Sequence, residues 1–437
     1  MMFSGTDPVS RRLAEIGHEF NHGMALQLDR ILIALDALGC PHEKLPPVFH
    51  VAGTNGKGST CAFLRAIAEA AGLRAHVFAS PHLIAPNERV RLDGKLVGDA
   101  AFIDAIDRVA ATGLTLTYFE AMTAAAFVLF AETPADVLVL EVGLGGRFDA
   151  TNVVARPAAT VVAPIDYDHT AILGDTLAAI AGEKAGIFRK GVPAIVARQP
   201  QAAMDVIEAN AATLGAPLMR CGVEWDCWRA NGRLVVQTED RLLDLPAPSL
   251  VGPHQFDNAG LAVAALLAWG DTRIDDDAFA YGVTSAAWPA RMQRLTSGSL
   301  ADMAHAAGAE LWLDGGHNPH GARALAATLA ELHARAPRPV VLVCGMLATK
   351  DSTGFLEPLA PHAAALIATP VASSSAGRTP DDLAAIASAL GIHATASAGL
   401  SEAVGQALSA TGQPPRILIC GSLYLAGEAL ALSGGVA

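Results

Sequence analysis

The amino-acid sequence predicts an α/β chain of two domains, a larger one with a parallel-rich sheet and a phosphate-binding turn, followed by a smaller α/β domain. Three observations predict it. The chain has 437 residues, more than one hydrophobic core usually organises. Short apolar runs alternate with helical patterns through most of its length, the order expected of βα units. One apolar run leads into a glycine-rich turn that opens a helix, the strand–turn–helix unit of phosphate-binding sites.

In chain order, a helical pattern over Met24 to Leu38 precedes a strand at Val48 to Ala52, the glycine turn, and a helix from Ser59 to Ala71. Strands follow at His76 to Phe78, Val137 to Leu140, Thr160 to Ala163 and Ala194 to Val196, with helices between most of them. The alternation in Arg233 to Gln237, followed by Glu239-Asp240, predicts a small β excursion within Gly222 to Leu245. Gly298 and the polar stretch Gln293 to Ser299 interrupt both periodicities and read as a linker, so the boundary is placed at 297, giving domains 1–297 and 298–437. Beyond it, strands at Leu311 to Leu313, Val340 to Cys344, Ala365 to Ala368 and Ile417 to Cys420 alternate with Ala- and Leu-rich helices.

Composition narrows the function class. Hydrophobic residues are 52% and charged residues 17% of the chain, enough apolar surface for large cores. The longest apolar windows, near Ala121 to Ala131 and Ala259 to Trp269, have the length of buried helices and fall short of a membrane span. The first residues, with Asp7, Arg11, Arg12 and Glu15, lack the apolar stretch of a secretory signal, so a cytoplasmic protein is expected. A formal net charge of −13 works against binding phosphate backbones, and no nucleic-acid partner is expected. Cys40, Cys61, Cys221, Cys227, Cys344 and Cys420 form no C-x-x-C pair, which indicates neither a zinc site nor a disulfide framework.

Several segments carry candidate chemistry. In Gly53-Thr54-Asn55-Gly56-Lys57-Gly58-Ser59, backbone N–H groups and the helix dipole can hold phosphates while Lys57 neutralises their charge. The loop departs from the strict Walker pattern, because Val51 stands where the first glycine would be and Gly58 separates Lys57 from Ser59. Glu141, after an apolar strand and before Gly143-Leu144-Gly145-Gly146-Arg147, should emerge at the carboxyl edge of the sheet, where a carboxylate beside phosphates suits Mg²⁺. Ser80-Pro81-His82 follows a strand in the same way, with a plain turn as the alternative. Asp168-His169 and Glu183-Lys184 are weak signals alone, since a lone histidine is more often a cap and a Glu-Lys pair a solvated helix face. Asp314, followed by Gly315-Gly316-His317-Asn318-Pro319, either approaches a nucleotide or caps the next helix.

Together these segments resemble the folylpolyglutamate synthase and dihydrofolate synthase family, relatives of the Mur ligases. The carriers are HVAGTNGKGST from His50, SPHL from Ser80, LTYFE from Leu116, EVGLGGRFDATN from Glu141, DHTAILG from Asp168, EKAGIF from Glu183, WPARMQ from Trp288 and DGGHNPH from Asp314. The resemblance implies a Mur-ligase-like P-loop domain with a Rossmann-like C-terminal domain. It implies ATP phosphates on Thr54, Asn55, Gly56, Lys57, Gly58 and Ser59, further ATP contacts at Asn258, Arg291 and Asp314, and one or two Mg²⁺ ions on Ser80, Glu141, His169 and Lys184, with Lys184 as a carbamate. A monovalent cation is an optional addition. The pterin substrate would meet Gly23, Met24, Ala25 and Leu26, then Thr117, Tyr118, Phe119 and Glu120, then Phe148, Asp149 and Ala150. Ala79, Pro164, Ala290 and Gly316 depart from the common pattern, and GMLATKD from Gly345 keeps the family's Lys-Asp pair while losing the Asp often found before it.

The implied chemistry activates a carboxylate as an acyl phosphate, which the amine of L-glutamate then displaces, with Lys57, Glu141, His169 and Lys184 as the catalytic set. Dihydropteroate and reduced folates are the expected acceptors, and LTYFE points to an enzyme that serves both. A monomer is expected. Two alternatives stay open: a Mur-type ligase acting on a UDP-linked peptide, for which the residues before Val48 are too few to form a UDP-sugar domain, and a P-loop regulator without ligase chemistry.

Overall fold

A computed structural model describes residues 7–18 and 27–434. They fall into two compact units: 7–18 and 27–249 with Gln255–Ala287, and Leu250–His254 with 288–434. In the larger unit an eight-stranded sheet runs in the order Leu218–Arg220, Ala194–Val196, Ala159–Val162, Val48–Ala52, Val137–Glu141, Ala75–Phe78, Val90–Leu92, Lys95–Leu96. The first six strands are parallel, and the last two add an antiparallel hairpin at the edge.

Val48–Ala52 lies at the centre and is buried at every position, as is Val137–Glu141 beside it. Strands covered on both faces read as continuous apolar runs, which is why they were legible in the sequence. Val48, Leu138, Leu140 and Phe78 join one core with the helix Tyr118–Glu132, whose middle is apolar all round and wholly buried. On the alternate side of the strand, Phe49 meets Trp269 of the helix His254–Trp269 edge to face, ring centroids 5.4 Å apart. The expected β excursion is a three-stranded antiparallel sheet, Trp225–Ala230, Arg233–Thr238 and Leu242–Leu245. Asn231 (φ 51°) and Gly232 (φ 79°) turn its first hairpin, the backbone that an Asn-Gly pair tolerates best.

The smaller unit holds a six-stranded sheet in the order Gln293–Arg294, Glu310–Leu313, Arg416–Cys420, Val340–Cys344, Ala363–Ala368, Ala394–Ala396, parallel apart from its first edge strand. That edge strand corrects the linker expected at Gln293 to Ser299. Gln293 and Arg294 pair with Leu313 and Trp312, and the helix Ser299–Ala306 takes up the end of the stretch. The changeover between units therefore falls between Ala287 and Trp288, upstream of residue 297. A two-residue strand has no periodicity to read; only its distant partner defines it. The helical pattern expected over Met24 to Leu38 is a helix at Asp29–Ala37, its first residues lying outside the described ones. Among the described residues no helix is long and apolar enough to cross a membrane.

Candidate active site

The loop after Val48–Ala52 turns back at Gly53 (φ 146°), where a side chain would meet Ala163 Cβ at 2.7 Å on the neighbouring segment. The backbone N–H groups of Thr54 and Asn55 donate to Pro164 O (2.9 and 3.3 Å), and the Thr54 hydroxyl donates to Asp166 O (2.9 Å). Pro164 thus fits a role that needs only its carbonyl. Gly56 (φ 89°) opens the helix Lys57–Ala70, and a Cβ there would run into Asn258 Oδ1. Asn258 is buried and its amide donates to Gln255 Oε1 (3.0 Å), so the larger unit brings Asn258 against the glycine loop. This is a helix N-terminus at the carboxyl edge of a parallel sheet, suited to phosphate. Ser59 is buried in the first turn.

Lys57 Nζ donates to Gly53 O (3.1 Å) and Thr54 O (3.2 Å), and Lys184 Nζ donates to the same Gly53 O at 2.8 Å. Lys184 is 5% exposed on the helix Leu177–Ala185. Burial, then the neighbouring Lys57 charge, lowers its pKa to about 7 against partial support from Asp168 and Asp149. An amine that sheds its proton near neutrality is one that can react with CO₂.

Glu141 ends its strand 4% exposed, and its Oε2 accepts from Ser80 N at 3.1 Å, which joins two of the expected metal ligands. His169 (φ 52°) caps the short helix Thr170–Leu173, with its ring 3.9 Å from Asp168 and 48% exposed. Among the described residues no group of three or more His, Cys, Asp or Glu side chains could hold a metal. A cation here would draw on Glu141, the Ser80 hydroxyl, His169, phosphate and a modified Lys184, a set dominated by oxygen that suits a hard ion such as Mg²⁺.

The loop from Gly143 to Asn152 packs on the helix of Lys184. Arg147 N donates to Glu183 O (2.8 Å), Asn152 Nδ2 to Arg147 O (2.9 Å) and Gly186 O (3.1 Å), and a Cβ on Gly146 would meet Glu183 O at 2.7 Å. Arg189 secures Asn152 in turn, donating to its Oδ1 at 2.7 Å. Asp149 is buried, with Oδ2 accepting from Leu144 N (2.8 Å) and Oδ1 from the Thr151 hydroxyl and N–H (2.5 and 3.0 Å). Burial raises its pKa and these donors oppose the rise.

Of the expected pterin contacts, Gly23, Met24, Ala25 and Leu26 lie outside the described residues. Phe148 is exposed, as a substrate-facing ring can be, and the Phe119 ring packs over Gly143, which has no room for a side chain. Glu120 is committed elsewhere. Its carboxylate accepts from Thr117 N (2.8 Å) in a capping box and pairs with Arg30, Nη2 to Oε1 2.9 Å. Arg30, with no motif around it, escaped the sequence reading, as did Gln255 and Arg189. Only His50, a polar residue inside an apolar strand, offered a signal.

In the smaller unit, Asp314 accepts from Met292 N (2.8 Å) and Gly316 N (2.7 Å), and burial raises its pKa. Arg291 Nη1 donates to Ala290 O (2.9 Å) and lies beside Gly315. Ala290 has φ 53°, the left-handed backbone for which glycine is suited. Asn318 caps the helix Pro319–Arg335 through Gly321 N (2.8 Å), so the turn after Asp314 is a helix cap as well as a polar cluster.

Residues 51–266 match the Mur ligase middle domain and residues 291–423 the Mur ligase glutamate ligase domain. The chain is 36% identical over 336 residues to the dihydrofolate synthase/folylpolyglutamate synthase of Bacillus subtilis, covering 73% of this chain and 75% of that one. It is 37% identical over 354 residues to the Escherichia coli enzyme of the same name, covering 80% and 78%. The E. coli FolC structure in complex with DHPP and ADP has a TM-score of 0.86 at 33% identity, covering 98% and 97%. A bifunctional folylpolyglutamate synthase/dihydrofolate synthase structure with Mn, AMPPNP and L-glutamate bound has a TM-score of 0.85 at 34% identity, covering 98% of each chain. A glycine loop holding two lysines on one carbonyl, a buried carboxylate at the adjoining strand end and relatives of this coverage agree: the chain belongs to the dihydrofolate synthase/folylpolyglutamate synthase family of ATP-dependent ligases.

Proposed function

We propose that this ligase carries both activities of the family, adding L-glutamate to dihydropteroate and γ-linked glutamate to reduced folates. The observation that carries the reading is the convergence of Lys57, Lys184 and Glu141 at the carboxyl edge of one sheet. Support for the dual assignment comes from the Leu116 to Glu120 segment and from relatives named for both activities.

The loop Thr54 to Ser59 and the Lys57 ammonium bind the ATP phosphates, Lys57 exchanging its two carbonyl partners for phosphate oxygens. Asn258, Arg291 and Asp314 serve the rest of the nucleotide. Ser80, Glu141, His169 and Lys184, the last as a carbamate, would hold Mg²⁺, which when bound neutralises phosphate oxygens during transfer. The substrate carboxylate attacks the γ-phosphorus, the bond to ADP breaks, and the glutamate amine displaces phosphate from the acyl phosphate with loss of a proton. The loop carrying Phe148, Asp149 and Ala150 holds the pterin end so that the carboxylate stays in line, and positioning of this kind supplies much of the rate. Asp149 and Glu120 act through the backbone they organise, since their carboxylates are occupied. The larger unit also has the buried strand ends and the helix N-terminus such a ligase requires.

The test is product mass after incubation with Mg-ATP, L-glutamate and either dihydropteroate or a reduced folate. Single addition to the first and repeated addition to the second supports both activities; addition to only one removes the other. ADP release that ignores glutamate removes the ligase assignment altogether.

A further inference from the structure

The centre of the strand Val48–Ala52 carries a polar residue that none of the expected chemistry uses. His50 is 1% exposed and sits in register with Leu140 and Thr160 of the flanking strands, so its backbone is held on both sides. Its Nε2 lies 2.9 Å from the Thr151 hydroxyl. That hydroxyl has one proton, and it goes to Asp149 Oδ1 at 2.5 Å. The histidine nitrogen must therefore be the donor, and the imidazole is the neutral Nε2–H form. The surroundings agree, because burial and then the charge of Arg189 lower the His50 pKa to about 3. The direction of every proton in the series is thereby set: imidazole to hydroxyl, hydroxyl to carboxylate, and on the far side Leu144 N–H to the same carboxylate.

We propose that His50 is a positioning residue for the substrate loop, holding Gly143 to Asn152 through Thr151 and Asp149 so that Phe148, Asp149 and Ala150 keep their places beside the helix of Lys184. The proposal rests on the pterin reading of those three positions. Its physical basis is an asymmetry of anchors. At one end the loop follows Glu141 out of the sheet, and at the other Asn152 is tied to Gly186 and Arg189. Between them Asp149 is the buried carboxylate, and beside its two backbone donors it relies on a threonine rotor that could swing to another staggered position without a partner on its lone pair. A donor fixed on the phosphate-loop strand removes that freedom, and a series of aligned hydrogen bonds in a dry interior strengthens each member. The same strand then carries the ATP loop at its end and the latch of the acceptor loop at its middle, which keeps the two reactants in register.

The test uses the full chain with His50→Leu, His50→Gln, Thr151→Val and the double variant His50→Leu/Thr151→Val. Leucine suits a buried strand but donates nothing, whereas glutamine retains a donor. His50→Leu should raise KM for dihydropteroate by about tenfold and leave KM for ATP within about twofold, with glutamine recovering most of the loss. Amide exchange at Leu144 and Thr151 should quicken by about tenfold in His50→Leu and no further in the double variant, as expected for members of one series. Proportional changes in both KM values, glutamine as poor as leucine, or unchanged exchange at these two amides would overturn the proposal. A wild-type chain that fails to glutamylate dihydropteroate would defeat the substrate reading instead, and the exchange rates would still judge the latch.

Discussion

Lys184→Met should give an enzyme that is dead and more stable. The ammonium of Lys184 is held in a 5% exposed site beside Lys57, which brings its pKa from the ordinary 10.5 to about 7. Between those values the unfolded chain holds a proton that the folded chain has released, so stability rises with pH across the window from 7 to 10.5 and is penalised below it. At pH 7.5 the penalty is about 4 kcal/mol, and by pH 9.5 it has fallen to about 1 kcal/mol. Methionine is unbranched and one atom shorter, carries no charge, and forfeits one hydrogen bond to Gly53 O worth about 1 kcal/mol, a carbonyl that Lys57 still serves. The net expectation is a gain of about 3 kcal/mol at pH 7.5 that is largely lost on going to pH 9.5. The assay is urea unfolding followed by tryptophan fluorescence, with Trp269 against Phe49 reporting on the phosphate-loop strand, in chelator and CO₂-depleted buffer so that neither metal nor carbamate contributes. Parallel pH dependences for wild type and variant, or a variant less stable at pH 7.5, would refute the argument. Turnover should fall by on the order of 10²-fold or more, as it should in Lys184→Arg, whose charge cannot be shed.

Lys57→Ala should weaken ATP binding and turnover by about 10²-fold while the unfolding midpoint holds, because a half-buried loop ammonium bonded to two carbonyls contributes little to the core. The double variant Glu141→Ala/His169→Ala should lose little more activity than the worse single variant if both serve one metal; fully additive losses, measured as kcat/KM, would separate their roles. Gly53→Ala faces φ 146° and a 2.7 Å approach to Ala163 Cβ, and should cost about 2–5 kcal/mol in calorimetry together with nucleotide affinity. Ala290→Gly relieves a left-handed backbone at φ 53° and should stabilise the smaller unit by about 1 kcal/mol, read as a rise in its melting temperature.

Much of this molecule follows from its sequence alone. Strands covered on both faces, such as Val48–Ala52, Val137–Glu141 and Val340–Cys344, have to be apolar throughout, and each is followed by the turn or helix that parallel pairing requires. The glycine loop, Glu141 and Lys184 are legible because their chemistry restricts residue type at fixed distances along the chain. Short edge elements were not: Val90–Leu92, Lys95–Leu96 and Gln293–Arg294 are strands only because another strand lies beside them. The roles of individual polar groups were likewise decided in three dimensions. Glu120 is captured by Arg30, Asp314 by Met292 N–H and Gly316 N–H, and Lys57 and Lys184 meet on one carbonyl. Sequence periodicity reports how a segment meets water and apolar neighbours, a property of the segment itself. A hydrogen bond or a displaced pKa depends on which distant atom arrives within about 3 Å, and only the folded chain brings that atom there.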